Sequence, residues 1–352
     1  MKQIAKLLMV GVVLFVSSCG SKQQLAIKSM EPAKVDLSAK IVRVGVLNSV
    51  EPEEQPKATK GIEGLVAIED QWLIQQAQNA ALEALVSELR EDNRFEVELL
   101  DVSGNELRKL LNDSEGTSWE KIKTLCTTHD IDALFSLTHF DAETEVSLRK
   151  TKMEQLNMMR EKEKVSAQEI TLETLIQNNW KIYDPVHEKI IDEYAYDQQL
   201  VAKAKGIDPI AALRAIGSRK DSLMSKGKLV GNSFGERLKP YERKIIREYF
   251  VKGTDNLVKA GEILASGDID SAAALWRKDA ENSNKKIKGR ACHNMAVGME
   301  FEGKLIAAHE WATKANQNLN DKASQSYLKE LENRLDRQPI VEAQMANLNF
   351  ED

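Results

Sequence analysis

The stretch Ile41-Val42-Arg43-Val44-Gly45-Val46-Leu47-Asn48 is a compact run rich in β-branched residues, which predicts a buried strand. Residues 51–64 carry Glu51-Pro52-Glu53-Glu54, Pro56 and two glycines, and read as a loop. From about Ile68 to Leu89 the residues Ile74, Ala77, Ala81, Leu85 and Leu89 recur at three- and four-residue spacing, one face of an amphipathic helix. Phe95, Val97 and Leu99 then alternate with Arg94, Glu96 and Glu98, the pattern of a strand with one wet face. Strand, helix and strand in this order predict a βαβ-like unit with the helix laid on a sheet. Two short helices should follow. One starts near Ser103 and carries Leu107, Leu110 and Leu111; the other starts at Thr117 with Glu120 as a capping box and carries Trp119, Ile122 and Leu125. His129 to Leu137 is a second buried strand.

From Asp141 the pattern changes to a β-meander. Glu143 to Leu148 alternates weakly, residues 150–164 read as a charged connection, and Ile170, Leu172 and Thr174 alternate again. The clearest hairpin is Trp180-Lys181-Ile182-Tyr183, a turn at Asp184-Pro185-Val186-His187, and a return from Ile190 to Tyr196. Pro209 suits the first turn of a helix. Gly227, Gly231 and Gly235 fall at spacing four, so a helix there would present a glycine face able to approach another element closely. Lys239-Pro240-Tyr241 breaks it, and Glu242 to Phe250 reads as the start of a further helix.

Beyond Gly253 the pattern is helical and repeats. Gly267 is followed by Ala272, Trp276 and Ala280, and Gly303 by Ala308, Ala312 and Ala315. The two glycines lie 36 residues apart, close to the ~34 of tetratricopeptide repeats. Cys292, Met295, Ala296 and Met299 precede the second glycine at the places where that family alternates large and small residues, and Ala323, Tyr327, Leu328 and Leu331 suggest a third first-helix. The region resembles tetratricopeptide repeats, two plus a terminal helix; Asp279 departs from the pattern, standing where a small residue is expected. That resemblance implies a partner-binding concave face lined by Asn294, Val297 and Glu300. Residues 337–352, with Pro339 near their start, are expected to be a disordered tail.

The N-terminus adds a location. Lys2 and Lys6 precede an apolar run from Leu7 to Val16, followed by Ser17, Ser18 and Cys19. The run is about half of the ~20 residues that span a bilayer, and the pattern is that of a secretory signal peptide over residues 1–18. Val16-Ser17-Ser18-Cys19 resembles the lipobox of bacterial lipoproteins, in which the cysteine is acylated and becomes the new N-terminus. The resemblance implies membrane attachment by lipid on Cys19, stable where two chains are present. Residues 19–39 are polar and read as a lipidated tether. Ser21, with no aspartate nearby, resembles the sorting signal for the outer membrane and implies a body facing the periplasm of the cell envelope.

Composition narrows the reading. The chain has 352 residues, 42% hydrophobic and 30% charged, with 49 Lys+Arg against 55 Asp+Glu. Loss of Lys2 and Lys6 with the leader leaves a body more acidic than the formal net charge of −6. Such a chain is a poor partner for nucleic acid, whose binding comes from neutralising phosphates. Cys126 and Cys292 read as free, buried thiols in different domains rather than a disulfide. The sequence has no nucleophile elbow, phosphate loop or zincin motif. Five histidines are scattered and read as hydrogen-bonded structural residues. His139 with Asp141, after a strand end, is the one place an enzyme or small-ligand binder would use. Two basic clusters, Lys285–Arg290 and Arg237–Arg247, read as solvated faces, or as a docking patch for an acidic partner or membrane headgroups.

The expected architecture is therefore an α/β domain over residues 40–252, a mixed sheet with flanking helices, followed by an all-α repeat region over 253–336. "Ile-Asp-Ala-Leu" at 131–134 resembles the periplasmic α/β domains of curli-secretion and penicillin-binding-protein-activator lipoproteins. The whole resembles bacterial envelope lipoproteins that end in such repeats, which implies no activity. The expected function is a non-catalytic, membrane-anchored adaptor without cofactor or metal, binding an envelope protein through its repeats. The alternatives are a subunit of a secretion or assembly complex, or a ligand binder using the α/β domain.

Overall fold

The computed structural model describes residues 21–51, 61–101, 118–217 and 219–347. The chain divides into two compact units: residues 32–241 with 341 onward, and residues 21–31 with 242–340. The expected leader, Cys19 and the helix near Ser103 lie outside the described residues.

The first unit is built on a mixed sheet. Its strands are β2 (Arg43–Asn48), β3 (Glu96–Leu99), β4 (Ala133–Leu156), β5 (Lys162–Asp184), β6 (Lys189–Ala195) and β7 (Gln198–Gly206). β3, β2 and β4 run parallel, with Val44 opposite both Val97 and Ala133. β5 returns antiparallel to β4, and β6 and β7 pair antiparallel with successive stretches of β5. Between β2 and β3 runs α1 (Ile62–Glu91), so the expected βαβ unit is present.

Alternation along the strands dresses both faces of the sheet. Val44, Val46, Phe135, Leu137, Trp180 and Ile182 pack with Leu73, Ala77, Ala81, Leu85 and Leu89 of α1 and with Val230 and Phe234 of α4 (Arg219–Gly235). Leu47, Leu134 and Tyr183 face the other way and pack with Ile122 and Cys126 of α2 (Trp119–His129). The short α3 (Pro209–Arg214) begins on Asp208, whose carboxylate caps the Ala211 N–H, and on the expected N-terminal proline. Gly227 and Gly231 lie against α1: a Cβ at Gly231 would run into the Ala81 carbonyl oxygen and the Leu85 nitrogen. The glycine face thus sets how closely α4 seats on α1.

The expected connection at 150–164 is instead the end of a long hairpin. Thr151–Leu156 and Lys162–Ala167 pair with each other alone among the described residues, around a turn in which Asn157 Oδ1 accepts from the Met159 and Glu161 N–H groups. Ladder hydrogen bonds need no apolar side chains, so the charged composition concealed these strands.

The second unit is helical apart from a two-stranded sheet. β1 (Lys22–Glu31) pairs with β8 (Tyr241–Phe250). The helices are α5 (Asp255–Ala265), α6 (Ile269–Asp279), α7 (Lys285–Phe301), α8 (Leu305–Leu319) and α9 (Lys322–Asn347). α5–α6 and α7–α8 are helical hairpins whose turns hold Gly267 at φ +93° and Gly303 at φ +74°, conformations that disfavour a Cβ. Ala272, Trp276, Ala296, Ala308, Ala312 and Ala315 are all buried, as their spacing predicts. Asp279 departs from the repeat pattern for a local reason: it accepts from the Thr254 hydroxyl and from Asn256 Nδ2 at 2.8 Å, at the start of α5.

Three boundaries are corrected. Residues 22–31, expected within the tether, form β1, where Leu25 and Ile27 alternate inward and Ile27 joins the helical core. Residues 242–250, expected to begin a helix of the α/β domain, form β8 and belong to the helical unit. The expected disordered tail is largely helix: α9 continues through Pro339 to Asn347, with Val341 and Gln344 buried and Gln344 Oε1 accepting from the Ala33 N–H at 2.9 Å.

Candidate functional site

β8 reads Tyr-Glu-Arg-Lys-Ile-Ile-Arg-Glu-Tyr-Phe, and its odd positions turn toward the helices: Ile245 and Tyr249 pack on the helical core, and the Arg247 guanidinium enters it. The Val251 N–H donates to the Ser21 carbonyl at 3.0 Å on the β1 side. On the opposite side Asn294 of α7 completes the ladder. Its Oδ1 accepts from the Phe250 N–H and its Nδ2 donates to the Phe250 carbonyl, both at 2.7 Å. His293 Nε2 meets the Glu248 carbonyl at 2.9 Å along the same edge. One helix thus replaces a third strand over the last residues of β8.

Glu300, one and a half turns along α7, is 1% exposed. It accepts from Arg247 Nε at 2.8 Å and Arg247 Nη2 at 3.0 Å, from the Tyr327 hydroxyl at 2.8 Å, and from Arg334 Nη1. Arg247 also donates to Glu330. Burial alone would lower the Arg247 guanidinium, but Glu300 and Glu330 hold it above the ordinary arginine value. Burial, with Glu300 adding to it, pushes the Tyr327 phenol well above its ordinary value, so it stays a donor. Two cations and a hydroxyl around one carboxylate satisfy its lone pairs, the condition under which a buried charge is tolerated.

Above this cluster, β8 and α9 frame a cleft of about 370 Å³ lined by Glu31, residues 243–247, Glu330, Asn333, Arg334 and Arg337. The volume is in the range of ligand pockets. Arg334 and Arg337 stand at i, i+3 on one face of α9, and Arg337 Nη1 donates to Glu31 Oε2 at 2.9 Å. Arg243 and Lys244 are exposed and have no carboxylate partner among the described residues. Five cations therefore face two lining carboxylates and the buried Glu300, a local positive excess on an acidic chain.

Asn294, Val297 and Glu300, expected on a concave partner-binding face, are 0%, 0% and 1% exposed. They turn inward because β8 and α9 cover the side of α7 that would otherwise be open. Glu300 holds the arginines Arg247 and Arg334 beneath the cleft, Asn294 closes the end of the β8 edge, and Val297 packs in the helical core. The cleft arginines lay partly in a basic cluster visible in the sequence; Arg334 and Arg337 were legible only as an i, i+3 pair.

His139 is exposed and Asp141 half-buried, and β4 runs on past them to Leu156, so the expected strand end is absent. Asp141 lines an open acidic trough of about 840 Å³ with Asp70, Glu143, Glu145 and Glu173, to which His139 does not contribute. In that region Arg219 is buried and pairs with Asp70 and Glu69; burial outweighs the arginine and lifts the Asp70 carboxyl above its usual range. Among the described residues no group of three His, Cys, Asp or Glu could hold a metal. Cys126 and Cys292 are free and lie in separate cores, and burial raises the Cys126 thiol to about 11. His129 and His187 bond Glu98 and Asp184 at 3.0 and 2.7 Å, as structural histidines do. No described helix is long and apolar enough to cross a membrane.

No curated protein matches the chain. Among solved structures it is similar to a dodecameric PelC variant from Paraburkholderia phytofirmans, at 9% identity over 60% of this chain and 96% of that one, with a TM-score of 0.26. It is also similar to a neuraminyllactose-binding hemagglutinin homolog from Helicobacter pylori, at 14% identity over 56% of this chain and 91% of that one, with a TM-score of 0.23. Residues 258–333, most of the helical unit, match Domain of unknown function (DUF6340). Residues 41–250, more than half of the sequence, match Domain of unknown function (DUF8603), and the chain belongs to that family.

Proposed function

We propose that this protein is a non-catalytic adaptor of the bacterial cell envelope, anchored by lipid on Cys19 and binding a protein partner through its helical unit. The anchor rests on the lipobox-like Val16–Cys19, and Ser21 favours the outer membrane with the body in the periplasm. The observation that carries the reading is the position of β1. It begins at Lys22, three residues after Cys19, and is built into the helical unit. A lipid there would hold that unit within roughly 10 Å of the bilayer, at about 3.5 Å per extended residue. β1 then rises about 30 Å over its ten residues and ends at Glu31, in the wall of the arginine cleft. Anchor and cleft thus occupy opposite ends of one short sheet, the disposition an adaptor needs. The tetratricopeptide-like helices serve as the frame of the site, with the partner met on the β8–α9 side instead of along α7.

The test is metabolic labelling with an alkyne fatty acid, then co-purification from detergent-solubilised membranes, using wild type and Cys19→Ser. Label and membrane residence should disappear in Cys19→Ser, and the wild type should retain a stoichiometric partner. An unlabelled wild type removes the anchor, and a wild type that purifies alone removes the adaptor.

A further inference from the structure

The geometry points to the open edge of β8 as a docking site for an extended acidic segment of a partner protein, added as a strand beside Lys244–Ile246. This rests on the adaptor reading and gives its partner a chemistry.

Backbone direction alternates along a strand. Since the Val251 N–H faces β1 while Phe250 and Glu248 bond Asn294 and His293 on the far side, Ile246 and Lys244 also direct their N–H and C=O groups to the far side. Asn294 and His293 satisfy the edge only as far back as Glu248. Among the described residues nothing pairs with the backbone of Ile246 or Lys244 on that side, because the sheet has two strands. Both residues line the cleft, although the side chains of even residues point away from the helices. An unpaired edge is a template for another strand.

Charge selects the occupant. The cationic groups do not converge on a point: residues 243–247 of β8 span roughly 14 Å at strand rise, and Arg334 and Arg337 follow the opposite wall. A single phosphoryl group could not reach both ends, whereas a strand with carboxylates at adjacent positions, one on each face, would meet them. Arg247 and Arg334 are already held by Glu300. Arg243, on the face toward the helices, and Lys244, on the opposite face, each remain for one incoming carboxylate. The buried Glu300 cluster keeps the floor rigid, so the edge is formed before the segment arrives.

The experiment uses fluorescence anisotropy with the full chain and a labelled ten-residue peptide in which pairs of threonine and pairs of glutamate alternate, which sets carboxylates on both faces of the strand. Its counterpart has glutamine for glutamate, and inorganic phosphate is the competitor. Saturable binding of the glutamate peptide is expected, at least ten-fold weaker for the glutamine peptide and for Arg243→Ala/Lys244→Ala, and weakened by salt. Ile246→Pro removes one outward N–H from an edge strand, where proline is tolerated, and should weaken binding at least ten-fold with every charge intact. Should that variant fold poorly, amide exchange in the wild type decides the point: the Lys244 and Ile246 N–H groups should slow on peptide addition, and those of Ile245 and Arg247 should not change. Equal affinity for the two peptides, unchanged binding by Arg243→Ala/Lys244→Ala, displacement by millimolar phosphate, or unprotected Lys244 and Ile246 amides would each overturn the inference. A wild type that ignores the peptide yet retains its co-purified partner loses the docking site and keeps the adaptor.

Discussion

Glu300→Ala should be among the most damaging single substitutions in the helical unit. Glu300 is 1% exposed, and the side chains it neutralises, Arg247 and Arg334, are 14% and 11% exposed. Removing the carboxylate leaves two guanidinium groups in a site from which water is largely excluded. Breaking a buried ion pair from one side costs about 3–5 kcal/mol. The Tyr327 hydroxyl also loses its acceptor, which adds about 1 kcal/mol at most, since neighbouring losses do not sum. A domain has about 5–15 kcal/mol in total, so the variant should retain a folded but weakened helical unit. At an m-value of about 2 kcal/mol/M, a loss of 4 kcal/mol lowers the urea midpoint by about 2 M. Because the chain has two units, a whole-molecule melt would not assign the change. Hydrogen exchange in rising urea, read by mass spectrometry on peptides from α7 and α9, isolates it. Replacing Arg247, Glu300 and Arg334 together by methionine should recover most of the loss, since the penalty comes from the uncompensated charges. Exchange in Glu300→Ala within about 0.5 kcal/mol of wild type would refute the claim that this cluster holds the floor of the cleft.

Three other outcomes follow from the packing. Gly231→Ala should destabilise the α/β unit by about 1–3 kcal/mol or more, because the new methyl meets backbone of α1; Gly217→Ala, with open space around it, should be neutral or slightly stabilising in the same urea titration. Asn294→Ala should cost about 1–3 kcal/mol by orphaning the Phe250 N–H and C=O, read as faster exchange in β8. His293 is desolvated against Phe250 and Tyr327, which lowers its pKa below the ordinary 6.5 despite the Glu248 carbonyl. The unfolded chain therefore takes up the proton first: the helical unit should be fully stable above about pH 6.5 and weaken as pH falls through the lower folded value, and His293→Gln should flatten that slope in urea midpoints measured across the range.

Much of the architecture was legible because periodicity carried it. The run from Ile41, the three- and four-residue spacing from Ile74 to Leu89, and the glycine-to-alanine intervals at Gly267 and Gly303 each fit one element and appear as that element. Where pairing comes from backbone alone, the pattern was silent: the charged hairpin arm after Lys150 has no core to face. β1 offers Leu25 and Ile27 among lysines and glutamines, too few to separate a strand from a tether. β8 places Ile245 and Ile246 side by side among charges, which fits a helix turn as well as a strand. The site failed for a different reason. Asn294 and Glu300 are polar residues on a helix, ordinarily a mark of exposure, and their burial depends on β8 and α9, which are far from them in sequence. A buried polar residue is recognisable only with its partners, and those partners are tertiary.

The central claim is that the helical unit meets its partner at the β8–α9 cleft while lipid on Cys19 holds it at the membrane. The most direct measurement is quantitative co-purification from native membranes of the full chain, wild type against Arg243→Ala/Lys244→Ala. Both residues are exposed and neither contributes to the Glu300 cluster. The double variant should remain in the membrane fraction, melt like the wild type and lose its stoichiometric partner at least ten-fold. The same partner at the same yield in both preparations would contradict the account.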